Sequence, residues 1–136
     1  MTRFVALFLA VALTVVGVIG VAAAGDVVVD AVYAVQYGFY PLLITLVYAH
    51  GDRPLVDAQL LVNGAVPIPE DRVQKYVLDA SRNATLFVIK KLAKDVVEPG
   101  DTVTALVTDE VADSGELAVP CGSWPRTRYQ IVLCKP

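Results

Sequence analysis

The sequence predicts an α+β protein in which a long apolar N-terminal α-helix, residues 1–24, precedes an antiparallel β-sandwich of about seven to eight strands, residues 25–136. Three observations support this prediction. An uninterrupted apolar stretch opens the chain, short alternating segments follow it, and Gly, Pro, Asn and Asp residues separate these segments at intervals of roughly ten residues. The length outside the helix suffices for one hydrophobic core, so a single β-domain is expected.

The apolar stretch extends from Phe4 to Ala24, contains no charged residue or proline, and has Thr14 as its only polar side chain. A run of roughly 18 or more apolar residues is typical of a membrane-spanning helix or of a helix in an equally dry environment. Three interpretations remain open. The stretch is a secretory signal that is cleaved before Gly25, a permanent single-span anchor, or a helix that later packs in the core of a filament.

Small residues recur four positions apart within this stretch. Ala6, Ala10 and Thr14 form one such row, and Gly20 and Ala24 form another. Rows of small residues on a helix face let two helix backbones approach closely. The stretch is therefore predicted to pack against other helices.

The first half of the β-domain predicts three strands that begin after a helix break at Gly25-Asp26. Asn63-Gly64, which follows the third strand, is the strongest two-residue turn signal in the chain. The predicted strands are Asp26–Tyr37, Leu42–Ala49 and Leu55–Val62, with turns at residues 38–41 and 50–54.

The second half predicts five further short strands. The segment Pro67-Ile68-Pro69 is expected to lie outside any strand of the sheet, because proline lacks the backbone donor that a β-ladder needs. The predicted strands are Val73–Leu78, Ala84–Leu92, Thr102–Thr108, Gly115–Val119 and Tyr129–Leu133.

Composition and motifs argue against several functional classes. The chain carries 11 Lys and Arg residues against 14 Asp and Glu residues, without the clustered basic patch that nucleic-acid binding needs. His50 is the only histidine and is expected in an exposed turn. No nucleophile–base motif, phosphate-binding loop or metal-ligand set is present, so neither an enzyme nor a cofactor is predicted.

Two covalent modifications are predicted from the sequence. Cys121 and Cys134 are the only cysteines, and in an exported chain they are expected to form a disulfide. Asn83-Ala84-Thr85 is an N-glycosylation sequon within a predicted turn, so Asn83 is a candidate acceptor.

Two segments resemble archaeal type IV pilins. LLITLVYAHGDRPLVDAQLLVNG, residues 42–64, is similar to the first hairpin of that family, and VVEPGDTVTALV, residues 96–107, is similar to a later turn and strand. The resemblance implies an immunoglobulin-like sandwich that forms the outer wall of a helical filament. It also implies that the subunit is stored in the cytoplasmic membrane and then assembled with identical copies into a cell-surface filament for adhesion, with a surface glycan or a cell as the ligand.

The same resemblance implies which side chains pack in the filament core. In this chain they are Phe4, Leu7, Phe8, Val11, Val15, Gly17, Val18 and Ile19.

Two alternatives remain. In one, the protein is a secreted β-sandwich that begins at Gly25 and polymerises by donating Asp26–Tyr37 as a strand to the next copy. In the other, the sandwich stays anchored in the membrane by residues 1–24 and binds a partner or a glycan.

Overall fold

A computed structural model describes residues 26–124 and 131–136 of the chain. These residues form nine β-strands, which we number in chain order. The strands are β1 (Val27–Tyr37), β2 (Leu43–Gly51), β3 (Leu55–Val62), β4 (Val66–Ile68), β5 (Arg72–Asp79), β6 (Ala84–Lys91), β7 (Thr102–Asp109), β8 (Ser114–Ser123) and β9 (Ile131–Cys134).

The predicted α+β fold class is wrong, because the described residues are all-β and none of them is helical. The helix predicted for residues 1–24 lies outside the described residues. Within the described ranges, no helix is long and apolar enough to cross a membrane. The prediction assigned a helix from the length of an apolar run, and such a run lacks the periodicity that would specify one.

The nine strands form one antiparallel sheet in the order β4-β3-β7-β8-β9-β1-β2-β6-β5. The predicted immunoglobulin-like arrangement of two separate sheets is therefore also wrong. Strand β8 accounts for the difference, since it pairs with β7 over Ser114–Pro120 and with β9 over Cys121–Ser123. One long strand thus continues the hydrogen-bonded ladder from one half of the sheet into the other.

The sheet folds back on itself, so that its two halves enclose a common core. Strand β1 contacts β8, although β9 lies between these two strands in the sheet. It also contacts β7, which lies one strand further away, and β2 contacts β3 and β7. Burial alternates along the strands, as expected when one face of each strand lines a core. The largest fully buried apolar side chains include Val32, Leu43, Val47, Leu55, Leu60, Phe87, Ile89, Val103 and Val107.

Near residue 65, the predicted Asn63-Gly64 turn is present, whereas the predicted absence of a strand at Pro67 is not. Asn63 and Gly64 both have positive φ, 55° and 72°, and Ala65 N donates to Val62 O, which makes the predicted Asn-Gly turn. The expectation that Pro67 would lie outside a strand is wrong, because Pro67 pairs with Leu61 in β4. Strand β4 is at the edge of the sheet, where a missing backbone donor on the outer side costs no ladder bond.

The start of β1 passes very close to β8 at Gly115. A Cβ atom added at Gly115 would overlap the carbonyl oxygen of Val27, so no side chain fits between the two strands. Glycine at this position lets the two halves of the sheet approach at the end where the chain enters the domain.

Gly115→Ala is expected to lower the free energy of unfolding by roughly 1–3 kcal/mol, because the new methyl group must displace backbone rather than a flexible side chain. Gly122→Ala in the same strand is the matched control, since a Cβ there meets nothing within 4 Å. Denaturant unfolding of the oxidised proteins measures both. Equal stability of the two variants would contradict the close approach.

Thr45 places a hydroxyl in the core. Its Oγ1 is buried and makes no hydrogen bond, whereas the equally buried Thr85 Oγ1 donates to Asn83 O at 2.9 Å. Thr45→Val should therefore raise the free energy of unfolding by roughly 1–3 kcal/mol, because it removes an unsatisfied polar group while keeping the side-chain shape. Thr85→Val is the control and should lower it. A loss of stability in Thr45→Val would show that its hydroxyl is satisfied.

Candidate functional site

The side chains predicted to pack in a filament core, from Phe4 to Ile19, lie outside the described residues. The structure places the other predicted residues in or beside strands. Within the described ranges, no group of three or more His, Cys, Asp or Glu side chains is arranged to hold a metal ion.

A disulfide joins Cys121 and Cys134, with an S–S distance of 2.04 Å. The two residues lie directly opposite each other on β8 and β9, and both are buried. The bond therefore fixes the C-terminal strand to β8 at the residue where β8 changes its pairing partner.

Asn83, the sequon residue, precedes β6 with a positive φ of 54°. Its Nδ2 atom, to which a glycan would be attached, donates a hydrogen bond to Gly51 O at 3.0 Å. Arg82 O in turn accepts a hydrogen bond from Gly51 N. The Asn83 side chain thus connects the end of β2 to the turn before β6, and attachment of a glycan would require this amide to be released.

His50 lies at the end of β2 and is only partly exposed. Its Nδ1 atom is 2.8 Å from Asp30 Oδ2 on the neighbouring strand β1. His50 therefore lies in a strand and not in the expected turn, because β2 extends through Gly51. The contact joins two adjacent strands.

Gln36 is a buried polar residue that organises the opposite end of the domain. Its Nε2 donates to Leu42 O and Ala93 O, both at 3.1 Å, and its Oε1 accepts from Val96 N at 2.9 Å. One side chain therefore holds the loop that follows β6 against the β1–β2 turn.

Carboxylates concentrate where the chain enters the β-domain. Asp109 is buried, and its Oδ1 accepts hydrogen bonds from Val111 N and Asp113 N, while its Oδ2 lies 3.9 Å from Arg53 Nη1. Partial burial, followed by repulsion from Asp113 and Asp52, raises the pKa of Asp26 above its ordinary value. The entry point of the chain is thus a site where negative charge is disfavoured.

Two carboxylates near β5 have the opposite behaviour. The backbone N–H of Leu92 and the ammonium group of Lys91 lower the pKa of Asp71. Hydrogen bonds from the hydroxyl and the backbone N–H of Ser81 lower the pKa of Asp79. Both residues therefore remain ionised beside the β5 edge at neutral pH.

A further candidate surface is an apolar face formed by β9, β1, β2, β6 and β5 on the side away from the core. We call it the outer face. Its side chains follow from the pairing registers, which place one residue of each strand in a row across the sheet. The three rows are Leu133-Val35-Ile44-Lys90-Arg72, Tyr33-Leu46-Val88-Gln74 and Ala31-Tyr48-Leu86-Tyr76.

Polar residues occupy only one border of the outer face. Lys90, Arg72 and Gln74 belong to β6 and β5, and every other residue in the three rows is apolar or aromatic. Tyr33 is 42% exposed and Tyr76 is 47% exposed. A solvated face of an antiparallel sheet is normally polar, so this face is unusual.

The outer face was not predicted from the sequence, although a signal for it was present. Residues 42–49, LLITLVYA, are apolar at almost every position rather than at alternate positions. In an antiparallel sheet a continuous apolar run indicates that both faces are apolar. The alternation expected of a half-exposed strand is absent there.

No protein-family model matches the sequence, and no curated protein or solved structure is significantly similar to the chain.

Asp26→Asn is expected to stabilise the domain at neutral pH. Because the folded-state pKa of Asp26 is raised, ionisation costs stability above that pKa, whereas below the unfolded value of 3.8 the carboxyl is protonated in both states. The advantage of Asp26→Asn should therefore be present at pH 7 and disappear as the pH falls below about 3.8. Denaturant unfolding at pH 7 and pH 3 measures it.

Asp57→Asn removes the same charge from an exposed position on β3 and serves as the control. An equal stabilisation of both variants at pH 7 would mean that the gain reflects net charge rather than the surroundings of Asp26.

Proposed function

We propose that this protein is the structural subunit of an extracellular helical filament, in which residues 4–24 of many copies pack together in the core and the β-domains form the outer wall. The observation that carries the proposal is the junction between the two parts. Strand β1 begins at Val27, three positions after Ala24, and it lies inside the sheet between β9 and β2.

This junction connects the apolar stretch directly to a strand in the interior of the sheet. Strand β1 makes ladder hydrogen bonds on both sides, and its inward side chains Val32 and Ala34 are completely buried. A force applied to the apolar stretch therefore acts on a central strand of the sheet and not on a long linker. Such a connection suits a subunit that must transmit tension between a polymer core and its surface.

The apolar stretch itself requires a dry environment. Removing residues 4–24 from water is strongly favourable, since each fully buried aliphatic side chain contributes about 1.5–3 kcal/mol. A membrane provides this environment before assembly, and a bundle of the same segment from many copies provides it afterwards. The rows of small residues let neighbouring segments approach closely.

The chemistry of the described domain also suits a structural role. The disulfide between Cys121 and Cys134 is of a kind that persists in oxidising, extracellular surroundings. The buried side chain of Gln36 connects the loop after β6 to the β1–β2 turn, and the buried side chains of Thr85 and Asp109 form hydrogen bonds within their own turns. These polar groups maintain the shape of the domain.

Val15→Asp and Gly17→Asp are expected to abolish filaments, because an unpaired carboxylate in the helical core costs several kcal/mol per subunit. Val56→Asp is the control, since Val56 lies in β3 with a half-exposed side chain. Electron microscopy and the amount of protein sheared from cells measure assembly. Normal filaments from the Val15→Asp protein would contradict the proposal.

A second candidate is a secreted protein that begins at Gly25 and polymerises by exchanging β1. The position of β1 favours it, because the first described strand fills a place between β9 and β2. Inserting β1 of one copy into the next would reproduce every contact that the strand makes within its own domain.

Mass spectrometry of detergent-free sheared material distinguishes the two candidates. A peptide that contains residues 4–24 supports the helical filament, because so apolar a segment remains in water only inside a polymer. A polymer whose subunits begin at Gly25 supports strand exchange. A full-length chain that remains with the membrane after shearing supports neither polymer.

A further inference from the structure

We propose that the outer face binds the same face of a second copy of this chain, so that two β-domains stack sheet against sheet. The inference deepens the proposed function, because it names a contact between head domains that does not involve residues 4–24. It starts from the three rows of side chains defined above, which are centred on Leu46 in the middle strand β2.

The composition of the face calls for an apolar partner. Leu46 lies between Tyr33 on β1 and Val88 on β6, and the rows on either side add Ile44 and Tyr48 from the same strand. The largest contiguous apolar patch on a monomeric protein typically covers about 300–600 Å² and often marks an interaction site. The outer faces of two such sheets can interdigitate in the way that the facing sheets of a β-sandwich do.

The area of the face is large enough for a weak contact. The three rows hold thirteen positions, and with strands about 4.8 Å apart and rows about 6.8 Å apart they cover roughly 420 Å². Two copies would therefore bury about 850 Å² in total, which is typical of a weak contact that forms at the high local concentration of a filament.

The border of the face favours a second copy in an antiparallel orientation. Arg72 and Gln74 on β5 and Lys90 on β6 are the only polar residues of the three rows. An orientation that places β5 over β5 brings the polar border of one copy against that of the other and keeps the apolar strands against each other.

A two-fold axis that lies between the sheets and runs across the strands superimposes β5 of one copy on β5 of the other in the reverse direction. Because the axis passes through the middle row, Arg72 of each copy then lies over Tyr76 of its partner, where the guanidinium can stack on the ring. The arrangement is isologous, so each border contact occurs twice.

The same axis passes through the middle row and places Leu46 of one copy over Leu46 of the other. Packed sheets lie about 10 Å apart. A cysteine introduced by Leu46→Cys should therefore be joined to its counterpart by a bismaleimide of about that length, added to cells that display the full-length protein. The expected product is a covalent dimer on a non-reducing gel.

Val56→Cys is the matched control, because Val56 is half-exposed but belongs to β3 in the other half of the sheet. It should give little dimer under the same conditions. Tyr33→Cys, in the same row as Leu46 and already 42% exposed, provides a second test if Leu46→Cys does not fold.

The rate at which a monofunctional maleimide labels the introduced thiol distinguishes an open face from one that is covered by something else. Rapid, complete labelling without a dimer means that the face is open and overturns the proposal. Protection without a dimer means that the face is covered by something else, such as residues 4–24 of the same chain or a lipid, and overturns it equally. Adding Tyr33→Lys to Leu46→Cys should abolish the dimer, whereas adding Val56→Lys should preserve it.

The experiments test the filament core and the contact between outer faces independently of each other. Loss of filaments in Val15→Asp with retention of the Leu46→Cys dimer would support both proposals. Normal filaments with no dimer would overturn only the contact between outer faces. A dimer in Leu46→Cys accompanied by normal filaments in Val15→Asp would overturn only the filament core.

Discussion

Strand β8 hydrogen-bonds to β7 along Ser114–Pro120 and to β9 along Cys121–Ser123, and through this change of partner one sheet can enclose its own core. Two neighbouring features depend on it. Gly115 allows the start of β1 to cross the first part of β8 at backbone contact distance, and Cys121 fastens the second part to β9. The fold is thus a single curved sheet whose closure is specified within one strand.

Sequence patterns predicted local structure well and strand pairing poorly. The strand Asp26–Tyr37 and the turn at Asn63-Gly64 were identified because alternation and left-handed turn residues are local signals. The continuity of the sheet was missed, because alternation tells which side of a strand faces the core but not which strand lies beside it. Pro67 was misjudged because its tolerance depends on an edge position that only the topology reveals.

Prediction of the outer face from the sequence is limited in a similar way. The sequence indicated where apolar residues are concentrated near the N-terminus, since an uninterrupted run is visible without any structure. The outer face draws its residues from five strands between Ala31 and Leu133, so it exists only after the strands are placed in register. The chain consequently carries two unlike apolar features, one continuous along the sequence and one assembled by folding. The proposed subunit uses the first in a helical core and the second between head domains.

The pairing of β1 with β9 has a consequence for the order of events during synthesis. Strand β1 is the first of the described strands to emerge, yet its residue Ala34 pairs with Cys134, one hundred positions later in the sequence. One side of β1 therefore stays without its neighbour until β9 has been made. Non-local pairing of this kind slows folding. In the proposed extracellular subunit, this delay would keep the chain extended while it is threaded across a membrane, because the sheet closes only after β9 has been made.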